Sequence, residues 1–402
     1  MKVLQINALY GFGSTGRTTK ELDCELQKNG IESIVAVTKT EERKENLYII
    51  GDKLDWKIHA FMSRLTGKQA YFSKKATKNL LSYIDKEKPD IIHLRNLHGN
   101  YINMIALLEY ISQNKIATVI TLHDHWFFTG RCCHYIDADC NRWQESCGNC
   151  PSLKKWNKSW FFDRSSEMLQ DKKQHLSKIS NLAVVGVSDW TTSEARKSIL
   201  KSAKIVKRIY NWIDLENFYP RESSTLKQKL GIENDFVVLG VAHKWSEQKG
   251  LFRILEVAKA KPEWKFVLIG QLPENVEIPS NVITVGLVND VDLLVEYYSM
   301  ADALLNPSTQ ETFGKTTAEA IACGTPVVGY NSTAIPELIG EGCGSVIELN
   351  SGNEEIINAL DTIYNNGKEH YKEKCISFAK ENFEKQKLIN EYISLYSELI
   401  RG

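Results

Sequence analysis

Two glutamates, Glu311 and Glu319, stand with seven residues between them inside the stretch Pro307 to Asn331, PSTQETFGKTTAEAIACGTPVVGYN. The apolar run before it, ADALLN (301–306), reads as a buried strand, and the run TPVVGY (325–330) reads as another. Between them a polar, glycine-containing turn delivers Glu311, Phe313, Gly314, Lys315 and Thr316 onto the start of a helix. The first N–H groups of a helix lack internal partners and carry the positive end of its dipole, so such a turn suits an anion. A carboxylate on each side cannot serve a phosphate, but it accepts hydrogen bonds from hydroxyls. A ligand built as sugar, diphosphate and ribose satisfies all three parts. Lys244 and Lys249 follow the run FVVLGVA (236–242), with Gly250 opening the next helix. Two ammonium groups there would hold a diphosphate without a metal. The loop LVNDVD (287–292), containing Val288, is the slot for a nucleotide base held by backbone groups.

Three other constellations lie in the first half of the chain. LYGFGSTGRTTKEL (9–22) is a glycine-rich turn into a helix. Gly11, Gly13 and Gly16 match G-x-G-x-x-G by spacing, but Ser33 and Ile34 stand where a dinucleotide site needs an acid about 20 residues on. A nicotinamide or flavin enzyme is therefore the minor reading of that turn, and a purely structural βα turn is the bland one. His123 and Asp124 end the run TVITLH (118–123), where an α/β sheet presents ligands. They read either as site residues or as a satisfied core pair. RCCHYIDADCNRWQESCGNCP (131–151) then places five cysteines within 19 residues. Cys133, Cys140, Cys147 and Cys150, the last two as C-x-x-C, have the makings of a closed structural zinc site, with Cys132 and His134 as substitutes for Cys133. The competing reading is a set of thiols or partial disulfides in a packed loop. Four thiolates leave no open position for catalysis.

These residues need elements to hold them. The apolar runs at 3–9, 33–37, 91–94, 118–123, 182–188 and 204–210, and the second set at 236–242, 265–270, 282–286, 301–306 and 325–330, alternate with helix-periodic segments. Near-continuous β-branched runs between helices mean parallel sheets covered on both faces. Two sets in succession predict an α/β chain of two doubly wound, Rossmann-like domains facing across a cleft, consistent with 402 residues. The boundary falls in NWIDLENFYPRESS (211–224), giving domains at 1–212 and 213–382, with a helix at 383–402 that packs back on the first. Its stretch INEYISLYSELIRG (389–402) is amphipathic.

The chain carries 50 Lys and Arg against 50 Asp and Glu, which gives no global call for nucleic acid. Locally, Lys154 to Arg208 holds 13 basic against 5 acidic residues. Lysines interleaved with Trp156, Trp160, Phe161 and Phe162 could seat on an anionic membrane; the alternative is that the aromatics pack the cysteine loop down and the lysines are solvated. No apolar run reaches the roughly 20 residues that span a bilayer. The N-terminus reads as a strand rather than a signal peptide, so the expected location is cytoplasmic, at the inner face of the membrane.

The chain resembles the GT-B glycosyltransferases of the large retaining family 4 (group 1). The cysteine-containing insertion is similar to members acting in colanic-acid or capsule-type polysaccharide assembly. The resemblance rests on ETFGKTTAEAIACGTPVV (311–328), IPELI (335–339), IYNWIDLENFYP (209–220) and QKG (248–250). It implies that Glu311 contacts donor-sugar hydroxyls, that Glu319 holds the ribose, and that the amides of Phe313, Gly314, Lys315 and Thr316 meet the diphosphate. It carries the family's cationic pair to Lys244 and Lys249, its first-domain histidine to His123, and its glycine-rich loop to Ser14, Thr15 and Gly16. Two departures stand out: Lys244 replaces an arginine and loses its bidentate fork, and Trp212 stands where glycine is usual. The implied activity moves a hexose-type sugar from a UDP- or GDP-linked donor to a glycan or polyprenyl-diphosphate-linked acceptor, with retention and no catalytic cofactor. An epimerase or phosphorylase of the same fold, and a non-catalytic sugar-nucleotide or polysaccharide-binding module, are the alternatives.

Overall fold

The computed structural model describes residues 1–155 and 158–401; Trp156 lies outside them. The chain divides into two compact units, Met1–Ile209 with Ile389–Gly402, and Tyr210–Leu388.

The first unit is built on a seven-stranded, wholly parallel sheet. Its order is Leu47–Ile49, Glu32–Val37, Lys2–Ile6, Ile91–Leu94, Ala117–Leu122, Leu182–Gly186, Ile205–Arg208. Inner strands are buried on both faces, and Val3, Leu4, Ile92, Val119, Ile120 and Val184 expose essentially nothing. That is the outcome expected when helices cover a run of β-branched residues from both sides. The last helix, Lys385–Arg401, lends its part from Ile389 onward to this unit, burying Ile389, Tyr392, Leu395, Tyr396 and Leu399. Two of its tyrosines close a buried polar chain. Tyr396 bonds His93 Nδ1 at 2.7 Å, His93 Nε2 reaches Thr121 at 2.7 Å, and Thr121 meets Tyr392 at 3.0 Å.

The second unit has a six-stranded parallel sheet in the order Val282–Val285, Lys265–Gln271, Val237–Lys244, Ala303–Asn306, Val327–Tyr330, Gly344–Ile347. In both sheets the strand order reverses beside the first strand. The switch lies between Lys2–Ile6 and Ile91–Leu94 in one, and between Val237–Lys244 and Ala303–Asn306 in the other. At such a point the loops leaving two neighbouring strands part in opposite directions, opening a crevice at their carboxyl ends.

Each strand run read from sequence overlaps an observed strand. Two edge strands have no counterpart among them, Leu47–Ile49 and Gly344–Ile347; both are short and partly exposed. Among the described residues no helix is long and apolar enough to cross a membrane.

Candidate functional site

At the switch point of the second unit, two loops are locked together. Thr309 N–H donates to the Gln248 carbonyl at 2.9 Å. Gly250 sits at φ +72°, and a Cβ there would lie 2.4 Å from the Pro307 carbonyl oxygen. Only glycine permits that approach without displacing backbone. The contact joins the loop carrying Lys244 and Lys249 to the loop carrying Glu311. Lys249 Nζ is 2.6 Å from Glu311 Oε1, with the carboxylate mostly shielded and the lysine part-exposed. The Glu311 backbone is fixed on both sides: its N–H donates to Thr333 Oγ1 at 2.8 Å and its carbonyl accepts from Ala334 at 3.3 Å.

The helix Lys315–Ala322 begins at Gly314, whose φ of +96° turns the chain into the first turn without a side-chain cap. Its opening amides, at Lys315 and Thr316, have no partner within the helix. The strand and helix are tied by Asn306 Nδ2 donating to Thr317 Oγ1 at 2.9 Å. Phe313 is buried against Tyr210 and Phe383, with ring centroids at 5.8 and 5.7 Å, which anchors the turn from below. Glu319 lies one turn along the helix and accepts from Tyr298 O–H at 2.8 Å. Burial and that carboxylate push the Tyr298 phenol well up, so it stays a donor. Lys244 is exposed at the end of its strand, after a bulge. Val288 is half-buried in the loop before the helix Val291–Met300, whose N-terminus Asp290 caps. Thus Lys249 and Glu311 meet at the strand end, Gly314 lies beside Glu311 at the start of the helix, and Glu319 sits one turn farther along it.

In the first unit, Gly11 and Gly13 take positive φ, and Gly11 N–H bonds the Gly16 carbonyl at 2.9 Å, closing a tight turn into the helix Gly13–Lys28. Ser14, Thr15 and Gly16 form its first turn, and Ser14 is exposed. His123 is half-buried at its strand end, and its Nε2 accepts from Arg95 at 3.4 Å. Asp124 turns inward: Oδ1 accepts from Trp126 N–H at 2.9 Å, while Oδ2 accepts from Asn96 at 3.0 Å and lies 3.5 Å from His98.

The sequence reading passed over Arg95. It follows the strand Ile91–Leu94, is essentially fully buried, and also donates to Thr18 Oγ1 at 3.0 Å on the glycine-loop helix. Burial lowers its pKa, but a guanidinium stays charged across the physiological range. It therefore fixes a positive charge beside His123. The polar run RNLHGN (95–100) directly after an apolar strand was the signal that could have found it.

In the cysteine loop the structure separates Cys133 from the other three expected thiols and brings Cys132 to them. Cys132, not Cys133, joins Cys140, Cys147 and Cys150 in lining one small pocket, and Cys132 Sγ lies 4.0 Å from Cys150 Sγ. Adjacent residues in extended chain point oppositely. Cys133 is accordingly buried the other way, with its sulfur grouped within 4.8 Å of donors from His98 and Asp124. The aromatics after the loop do not pack it down either: Trp160, Phe161 and Phe162 are 41%, 67% and 50% exposed.

Comparison with known proteins identifies the family. Residues 15–217 match the model described as Glycosyltransferase Family 4, and residues 222–382 match Glycosyl transferases group 1. Relatives include the N-acetyl-alpha-D-glucosaminyl L-malate synthase of Bacillus anthracis, 26% identical over 240 residues, covering 54% of this chain and 60% of that one. A 41.2 kDa protein of the Klebsiella pneumoniae cps region is 27% identical, covering 48% and 54%. The putative colanic acid biosynthesis glycosyl transferase WcaC of Escherichia coli K12 is 21% identical, covering 77% of each. The chain thus matches little more than half the length of the first two. Among solved structures, sucrose-phosphate synthase of Thermosynechococcus elongatus aligns with TM-score 0.71 at 15% identity, covering 100% and 99%. Anabaena HepE in complex with UDP aligns at 0.69 and 16%, covering 99% and 100%. These likenesses show the fold, GT-B. With a family model matched over half its length, the chain belongs to glycosyltransferase family 4.

Proposed function

We propose that the protein transfers a hexose-type sugar from a nucleoside diphosphate sugar to a glycan or lipid-linked glycan in bacterial surface polysaccharide synthesis. The observation that carries this is the Lys249–Glu311 pair, held at 2.6 Å beside the open first turn of Lys315–Ala322, with Glu319 farther along that helix. Cation and free amides suit the diphosphate, Glu311 the sugar hydroxyls, and Glu319 the ribose. The donor enters by exchanging that ion pair for its own contacts. HepE, solved with UDP and with UDP-glucose, and WcaC, titled for colanic acid biosynthesis, support the donor and pathway classes.

Transfer with retention requires the acceptor oxygen to approach on the face that the leaving group vacates. The bond from the anomeric carbon to the phosphate oxygen breaks through an oxocarbenium-like state, and the new glycosidic bond forms on the same side. The departing diphosphate takes the acceptor hydroxyl's proton. Lys244, Lys249 and the amides of Lys315 and Thr316 stabilise its growing charge, the work a metal does in other transferases. His123, with Ser14, Thr15 and Gly16, serves the acceptor side and the sugar.

Two features of the first unit support an anionic, membrane-borne acceptor. An open pocket is lined by Lys39, Arg43, Lys53, Lys57 and Trp56. Beside it, the helix Lys53–Thr66 exposes Leu54, Ile58 and Phe61 on one face, and Phe61 meets Trp160 edge-on at 5.6 Å. Apolar side chains beside Lys53 and Lys57 suit an anionic bilayer surface and support a location at the inner face of the cytoplasmic membrane.

Glu311→Ala tests the central assignment. Turnover should fall by about 100-fold or more while nucleotide affinity stays within a few-fold, because the lost contact is to the sugar in its transition state. Donor consumption unchanged by the substitution would remove the role given to Glu311. Nucleotide binding without any transfer in the wild type would favour the non-catalytic binding module.

A further inference from the structure

We propose that the loop 131–151 is a structural zinc site with the ligands Cys132, Cys140, Cys147 and Cys150. The inference stands apart from the transfer reaction and rests on four observations. First, the four thiols line a single small pocket, together with Gly148 and Trp143. Second, Cys132 and Cys150 place their sulfurs 4.0 Å apart. Tetrahedral Zn–S bonds of about 2.3 Å put sulfurs about 3.8 Å from one another, whereas a disulfide needs about 2.05 Å.

Third, Cys147, Gly148 and Asn149 take consecutive left-handed φ values of 54°, 101° and 46°, a conformation only one of them adopts freely. That winds the C-x-x-C segment into a tight turn whose two cysteines line the same pocket. Arg142 clamps the knuckle, donating to the carbonyls of Gly148, at 3.0 Å, and Asn149. Gly130 N–H points at Cys147 Sγ at 3.3 Å, the kind of contact that supports a metal-bound thiolate. Fourth, Arg131 lines the same pocket and the Lys172 amine donates to the Gly130 carbonyl, so basic side chains stand beside the thiols, where the net double negative charge of four thiolates on a divalent ion would need them.

The loop has reason to need a metal. It starts eight residues after His123, and its regular structure is two single 3-10 turns, Ile136–Ala138 and Arg142–Gln144. The buried Trp143 and Tyr135 and the Lys172 ammonium, which donates to the carbonyls of Trp126, Thr129 and Gly130, tie it to the unit's core. Metal binding would supply folding energy that this short stretch cannot draw from its own apolar content. All four positions being thiolate leaves the ion closed to water, so its part is to hold the segment that follows His123 and Asp124.

The test is metal analysis of the full chain purified under reducing conditions. About one zinc per chain is expected, released when a mercurial titrates the thiols. Cobalt(II) in its place should give the sulfur-to-metal charge-transfer and visible bands of a tetrahedral thiolate site. Cys132→Ser should lose the metal, while Cys133→Ser should keep it. Where a ligand variant fails to fold, mercurial release and the cobalt spectrum of the wild type still decide. Less than about a tenth of an equivalent of zinc, both as purified and after zinc is offered to the reduced protein, would overturn the proposal. So would a Cys132–Cys150 disulfide in the native chain, or loss of metal in Cys133→Ser with retention in Cys132→Ser. Failure here would leave the donor-site reading untouched, since its measurements are made on the other unit.

Discussion

Buried histidines make the stability of the first unit depend on pH. Burial, reinforced for His93 by Arg95 and His123, holds His93 and His125 well below the ordinary 6.5, and burial lowers His59 to about 4. The unfolded chain binds protons at these rings near pH 6.5 and the folded chain does not. Stability is therefore fully present above about pH 6.5 and falls as pH drops through it, by up to about 1.4 kcal/mol per pH unit for each ring. Among the described residues His125 has no hydrogen-bond partner at either ring nitrogen, so His125→Phe removes one of these protons without orphaning a polar group. Urea unfolding between pH 5 and 7.5 should show a shallower acid-side slope in that variant; an unchanged slope would contradict this account of His125. At this scale the meeting of Glu311, Gly314 and Lys249 was legible in the sequence because acid, glycine and cation fell at strand ends. The polar run after its strand marks Arg95, but not its partner, because side-chain direction is set by neighbours far away in the chain. Arg95 faces Thr18, 77 residues off.

At the scale of elements, the proposed donor site depends on how closely two loops approach. Gly250→Ala adds a Cβ 2.4 Å from the Pro307 carbonyl oxygen at a φ of +72°. The loops must part, and the Thr309–Gln248 bond that joins them must lengthen. Strain at such a position costs on the order of 1–3 kcal/mol. Nucleotide affinity, measured by calorimetry, should fall about 5- to 100-fold while the rest of the second unit stays folded, because Lys249 and Glu311 no longer share one crevice. Full affinity in Gly250→Ala would show that the loop contact does not shape the site. The strands themselves were legible because their β-branched runs are buried on both faces. Leu47–Ile49 and Gly344–Ile347 were not, since each is only three or four residues long and partly exposed.

For the whole molecule, the exposed apolar residues Leu54, Ile58, Phe61, Trp160, Phe161 and Phe162, with Lys53 and Lys57 beside them, predict binding to anionic vesicles that weakens with salt. Phe161→Ser with Leu54→Ser should lower vesicle co-sedimentation several-fold without changing nucleotide binding. Equal binding to zwitterionic and anionic vesicles, or no loss in the double variant, would remove the membrane reading. The sequence pointed to the basic segment but not to the helix Lys53–Thr66, which meets Trp160 only through the fold.

The central claim is that the stretch from Pro307 to Asn331 binds a nucleoside diphosphate sugar. Thermal unfolding in the presence of UDP, GDP and their sugars, on the wild type and on Glu319→Ala, tests it most directly, because a ligand specific to the native state raises the melting temperature. At least one nucleotide should raise the wild-type melting temperature by several degrees. In Glu319→Ala that shift should shrink, reflecting about 1–3 kcal/mol of lost charged hydrogen bonding to the ribose. No shift with any nucleoside diphosphate, or the same shift in both proteins, would contradict the account.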